Sequence, residues 1–157
     1  VRHELTRTLH YTPEQLVSLV GDVNSYPQFV PWITSMRTWN ERELAPGVTT
    51  LDAEAQVGFA FLKERFATRV VRDANARHIK IELLHGPFRH LVSNWRFEPD
   101  PAGAKLIFDI DFAFKSRLLE GLLAANFSTA VDRLIQCFEA RARALYGTGT
   151  APLESIP

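Results

Sequence analysis

The sequence predicts an α+β fold, a curved antiparallel sheet of about seven strands wrapped around a long C-terminal helix, with short helices after the first strand. Three observations predict it. Residues 34–114 divide into strand-length pieces whose separating turns are too short to hold a crossover helix. Beyond Lys115 the apolar period changes from two to 3.6. Between the first strand and this meander lies one helical segment with its own start signal.

The elements follow in order. "HELTRTLHY" alternates and reads as a strand. Thr12 and Pro13 then supply an N-cap and a first helical residue, with Gln15 at capping-box spacing, so a helix runs from about Pro13 to Val23 with Leu16, Val17, Leu19 and Val20 on its apolar side. Next comes "SYPQFVPWI", residues 25–33, in which Pro27 and Pro31 remove backbone donors and pin the chain around Tyr26, Phe29 and Trp32. Such a segment is a rigid apolar connector, and it is expected to form the rim of a cavity.

The turns "APG" (45–47), "DANA" (73–76), "HGP" (85–87) and "PDPAG" (99–103) punctuate a meander of about six strands, with the first strand returning to an edge. Alternation assigns the faces. Leu106, Phe108, Ile110, Phe112 and Phe114 point inward, as do Leu91, Ser93, Trp95 and Phe97, and Ile79, Ile81 and Leu83. The strand from Val48 to Phe59 turns Leu51, Ala53, Ala55, Val57 and Phe59 inward, and its two alanines imply free volume. Leu119, Leu122, Leu123, Phe127, Ala130, Leu134, Phe138 and Leu145 form one helical stripe. A single helix of about 30 residues, roughly 45 Å long, is therefore expected to cross the sheet. Gly147 closes it, giving one domain over 1–147 and a flexible tail over 148–157.

Composition narrows the function. Eighteen basic and eighteen acidic residues leave no net charge, which argues against DNA binding driven by bulk electrostatics. The single cysteine, Cys137, has no internal disulfide partner and fits a reducing compartment. With no apolar run long enough to span a bilayer, the chain reads as cytoplasmic, with peripheral contact at the inner membrane as its membrane option. There is no GxSxG elbow, phosphate loop, HExxH or CxxC, so no catalytic residue and no metal ligand is assigned. His85 and His90 have no common zinc spacing, and Asp109 and Asp111 alternate outward. Glu64 shares a strand face with Leu62, Phe66 and Val70; it either faces the interior, where a carboxylate needs a partner, or is turned outward by a bulge.

Inward faces this rich in aromatic and aliphatic side chains point to an apolar ligand. The expected cavity is rimmed by Tyr26, Phe29 and Trp32 and walled by Ala53, Ala55, Phe59 and Phe66. Trp95, Phe97, Phe108 and Phe112 complete the sheet side, and Leu122 and Phe127 the helix side.

The motifs "YPQFVPW", "GF" at 58–59, "GPFRHLVSNWRF" and "AVDRLIQCFEARARALYG" resemble those of the coenzyme Q-binding, START-like proteins, a group that includes the bacterial ribosome-association toxin A proteins. The resemblance covers nearly the whole chain, to about Gly147. It departs at Ile33, where relatives often carry cysteine, so no thiol role is carried over to that position. The resemblance implies a helix-grip fold holding ubiquinone or a similar isoprenoid lipid as a bound ligand, with no covalent cofactor, as a carrier or chaperone supporting respiration. It also implies an alternative, a toxin-like protein that binds the large ribosomal subunit and blocks subunit association, for which Arg117, Arg133, Arg141 and Arg143 offer basic groups. A third implication is a polyketide cyclase or aromatase, for which Glu64 is the one acid or base on an inward-reading face.

Overall fold

Three side chains set the first turn of helix after strand β1 (Arg2–Leu9). The Thr12 hydroxyl accepts the Gln15 backbone N–H at 3.1 Å, Gln15 Oε1 accepts the Thr12 N–H at 3.0 Å, and Pro13 stands where a missing N–H costs nothing. Helix α1 (Pro13–Gly21) buries Leu16, Leu19 and Val20. It ends two residues before the expected Val23, and a 3-10 helix, Val23–Gln28, carries the chain into the proline-rich connector. The computed structural model describes residues 1–59, 62–124 and 126–148, without the side chains of 59, 62 and 122–124.

Strands β2 (Ile33–Ala45), β3 (Val48–Phe59), β4 (Leu62–Asp73), β5 (His78–His85), β6 (Phe88–Asp100) and β7 (Gly103–Phe114) form the expected meander. The sheet has seven strands in the order β1-β7-β6-β5-β4-β3-β2, and every neighbouring pair is antiparallel. β1 closes one edge against β7, with Arg2 opposite Asp111 and Leu9 opposite Ala104. One face of the curved sheet is apolar: Leu51, Ala53, Val70, Ile79, Trp95, Phe97, Leu106 and Phe108 cluster there with residues of the C-terminal helix. We call this face concave. Full burial of each large side chain contributes about 1.5–3 kcal/mol.

The single terminal helix is replaced by two, α2 (Arg117–Ala124) and α3 (Phe127–Tyr146). Asn126 stands outside α3 as its N-cap, at φ −118° and ψ 11°. Its side chain makes no capping hydrogen bond, so the end of the helix is marked by this non-helical backbone alone. α3 has 20 residues, so it spans about 30 Å rather than 45 Å. Its Val131, Ile135, Phe138 and Ala142 are buried against the concave face. At its far end the Tyr11 hydroxyl donates to Gly147 O at 2.9 Å and the Tyr146 hydroxyl to Gln15 O at 3.2 Å, which fastens α3 to α1 and closes that end of the grip. Nearly all of the expected tail, from residue 149 on, lies outside the described residues.

Candidate ligand-binding site on the concave face

The connector is built on the 3-10 helix, where Val30 N–H donates to Tyr26 O at 2.8 Å and Phe29 N–H to the same oxygen at 3.1 Å. This folds Tyr26 inward. Its hydroxyl donates to Val20 O, its exposure is 7%, and burial, reinforced by the Asp22 charge, pushes the phenol far above its ordinary value. Tyr26 is therefore core and not rim, because a phenol whose one donor is spent on α1 has no reason to face solvent. It lies edge-on to Phe138 at 5.1 Å and to Phe29 at 5.8 Å, and Phe29 meets Phe138 at 5.0 Å. These contacts are near the middle of α3.

Phe29 and Trp32 are only half-buried. The Arg141 guanidinium lies 5.3 Å over the Phe29 ring and donates to Gln28 Oε1 at 3.1 Å, clasping the connector to α3. Gly58 N–H donates to Trp32 O at 2.9 Å, which ties the connector to β3. Ala53 and Ala55 stand opposite Thr68 and Phe66 of β4. Both alanines are buried, and Ala53 belongs to the same core cluster as Tyr26, against which Phe29 and Trp32 pack.

A second aromatic cluster lies at the opposite end of the concave face from α1. Phe88 stacks on Phe114 at 4.7 Å and meets Phe66 at 5.4 Å, while Phe112 meets Phe127 at 4.5 Å. Leu83, Leu91, Ile110 and Leu119 pack around it, all half-buried. The expected wall residues thus divide. Trp95, Phe97 and Phe108 are sealed in the main core, and Phe112 in the second cluster. Phe29, Trp32, Phe66 and Phe127 keep accessible surface, whereas the side chains of Phe59 and Leu122 lie outside the described residues. Leu83 and Leu91 belong to the same half-buried band; alternation marks them as inward, but nothing in the chain separates them from sealed core.

The pairing of β3 with β4 runs from Val48 opposite Asp73 to Phe59 opposite Leu62 with no register shift, so no bulge turns Glu64 outward. Glu64 stands opposite Val57 on the concave face, half-buried and without an ion pair or hydrogen bond among the described residues. Asp109 and Asp111 face the other way. Asp109 accepts from Asn94 at 3.1 Å and from Arg96 at 3.5 Å, and Asp111 lies 3.2 Å from His90. Toward the closed end a void of about 10 Å³, lined by Tyr11, Leu16, Trp95, Ile135 and Phe138 among others, has room for roughly one water. An open cleft beside Gly21, Asp22, Thr49 and Arg72 lies at that same end, away from the half-buried band. No helix among the described residues is long and apolar enough to cross a membrane.

An antiparallel sheet gripping a helix, with an incompletely covered apolar floor, is an architecture suited to apolar cargo. A family model described as polyketide cyclase / dehydrase and lipid transport matches residues 9–139. The chain belongs to this family. The ribosome association toxin RatA of Rickettsia prowazekii is 33% identical over 141 residues, 88% of this chain and 93% of that protein. The mitochondrial coenzyme Q-binding protein COQ10 homolog B of Xenopus laevis is 30% identical over 158 residues, 98% of this chain and 62% of that protein. Among solved structures, the 18 kDa protein CC1736 from Caulobacter crescentus superposes with a TM-score of 0.79 at 57% identity, over 94% of this chain and 99% of that one. A START superfamily protein from Mycobacterium smegmatis, at TM-score 0.75 and 21% identity over 92% and 98% of the two chains, shares the fold. The START-like, helix-grip expectation is thereby met.

Proposed function

We propose that the protein binds an apolar ligand, a ubiquinone-like isoprenoid quinone or a related lipid, on the concave face between the connector and the second aromatic cluster. It acts as a carrier or chaperone supporting respiration and performs no chemistry on its cargo. The observation that carries this reading is the band of large apolar side chains left half-buried there: Phe29, Trp32, Phe66, Leu83, Leu91 and Phe127. A folded chain gains from covering such surface, at about 25 cal/mol per Å², and a lipid covers it without needing polar partners. The coenzyme Q-binding relative supports the choice of ligand. In this reading the protein works in the cytoplasm and touches the inner membrane peripherally to load. Solvent extraction of the purified protein followed by mass spectrometry tests it: a stoichiometric quinone or lipid is expected, and an empty extract from protein that also takes up no quinone analogue rejects it.

One observation favours a second reading. Arg117, Arg133 and Arg143 are exposed and have no ion pair among the described residues, and several curated relatives are named ribosome association toxins. Binding to the large ribosomal subunit through these arginines, with subunit association blocked, calls for co-sedimentation that weakens steeply as salt rises. No co-sedimentation at low salt removes this reading.

A further inference from the structure

Among the described residues four polar side chains are buried in the sheet: Thr50, Asp52, Thr68 and Ser93, with exposures of 1, 6, 6 and 5%. They separate by face. Thr50 and Asp52 alternate away from Leu51 and Ala53, toward the convex side, and both are satisfied. The Thr50 hydroxyl donates to Val70 O at 3.0 Å, and the Asp52 carboxylate accepts from Arg69 at 3.0 Å and from Asn40 at 3.2 Å. Thr68 and Ser93 lie on the concave floor, Thr68 between Ala53 and Leu83, Ser93 between Ile81 and Ile110. Neither hydroxyl has a hydrogen-bond partner among the described residues. Among the described residues the one sealed side-chain polar atom without a partner is Arg141 Nε, so both hydroxyls keep contact with space that a water-sized group reaches.

A hydroxyl buried among hydrocarbon without a partner is disfavoured, and alanine or valine fits these positions at lower cost. We propose that Thr68 and Ser93 form a polar subsite on the concave floor of the sheet, donating hydrogen bonds to uncharged oxygens, carbonyl or ether, of an otherwise apolar ligand. This rests on the lipid-binding reading and specifies its head-group chemistry. The flanking residues are hydrocarbon, and two charges stand four residues from Thr68 on the same face of β4: Arg72 at the α1 end, where Glu41, Thr49 and Gly21 O engage its guanidinium, and Glu64 toward the half-buried band, whose carboxylate has no partner among the described residues and repels an anionic head. The hydroxyls stand on β4 and β6, two strand spacings of about 4.8 Å apart and displaced by one two-residue step of about 6.8 Å. They therefore engage separate oxygens of an extended ligand, not the two sides of one small ring.

The test uses Ser93→Ala and Thr68→Val on the whole chain, with decylubiquinone and its oxygen-free counterpart decylbenzene as probes, both followed by calorimetry in dilute non-ionic detergent. The expected result is an affinity for decylubiquinone lowered about threefold to tenfold in at least one variant, the worth of one neutral hydrogen bond. Decylbenzene affinity and the melting temperature should be unchanged or raised. If wild type takes both probes and neither variant discriminates between them, the subsite is wrong while the lipid-binding reading stands. Equal loss for both probes, or a melting temperature lowered by several degrees, makes the hydroxyls structural and overturns the subsite. If wild type takes neither probe, the lipid-binding reading fails and the subsite with it.

Discussion

The ring of Tyr26 meets the ring of Phe138 edge-on, with centroids 5.1 Å apart and planes at 89°, and through this contact the connector is held to α3. Phe138 also touches Phe29 and Trp95, so one side chain of α3 joins connector, helix and sheet. Tyr26→Phe keeps the ring and removes the hydroxyl that Val20 O accepts from, and about 1–2 kcal/mol of unfolding free energy should be lost. Urea denaturation at neutral pH measures this. The same variant has a pH signature. Burial raises the Tyr26 phenol, so the folded state holds its proton where the unfolded chain, with a value near 10, releases it. The stabilisation is full below about pH 10 and declines as pH rises above it. Wild type should therefore lose its advantage over Tyr26→Phe in that alkaline range, and an advantage that persists unchanged contradicts the sealed phenol.

Phe29 and Trp32, unlike Tyr26, keep accessible surface. Phe29→Ala and Trp32→Ala should each weaken quinone binding by about 1–3 kcal/mol and cost less in folding. Severe unfolding, with affinity unchanged in the surviving folded fraction, assigns these rings to the core instead.

Asp52 on the convex face is held below the usual carboxylate range, first by its hydrogen bond from Arg69, then by the one from Asn40 and by the charges of Arg69 and Arg42, against an opposing effect of burial. Its contribution is present above the unfolded value of about 3.9 and disappears as pH falls through the lower folded value. Asp52→Ala should destabilise the protein by about 1–3 kcal/mol at pH 7. The gap to wild type should close below pH 4. A gap independent of pH would mean that packing alone accounts for the loss.

At Gly86, φ is +155° and a Cβ would come within 2.5 Å of Phe66 Cβ. Gly86→Ala should displace Phe66, lowering stability by about 1–3 kcal/mol and weakening ligand binding together. A variant as stable as wild type, with unaltered affinity, would show that the β5–β6 turn does not position the floor.

The seven strands and their faces were legible because alternation is a local property: Leu106, Phe108, Phe112 and Phe114 are inward by spacing alone, and all are buried. The break at Asn126 was not legible, since the apolar stripe from Leu119 to Phe127 keeps helical spacing through it and periodicity does not register an interruption. Tyr26 was misplaced at the rim because its hydroxyl partner is a backbone oxygen on the preceding helix, which only tertiary folding brings into reach. Glu64 was open between two orientations until the continuous β3–β4 register resolved it. Arg141 reads as one more surface arginine of an amphipathic helix, and its place over Phe29 depends on where the connector docks.

The pairing of β1 with β7 also has a bearing on synthesis. Arg2 leaves the ribosome more than 100 residues ahead of its partner Asp111. At about 5–20 residues per second the first strand waits roughly 5–20 seconds before its edge can be closed. Throughout that interval its backbone donors and acceptors are open to other chains. The meander from β2 to β7 grows by neighbour-to-neighbour hairpins, so it can zip progressively while β1 stays free. Joining the two ends is therefore the long loop closure that comes late in folding, and the nascent chain is most in need of a chaperone before β7 has emerged.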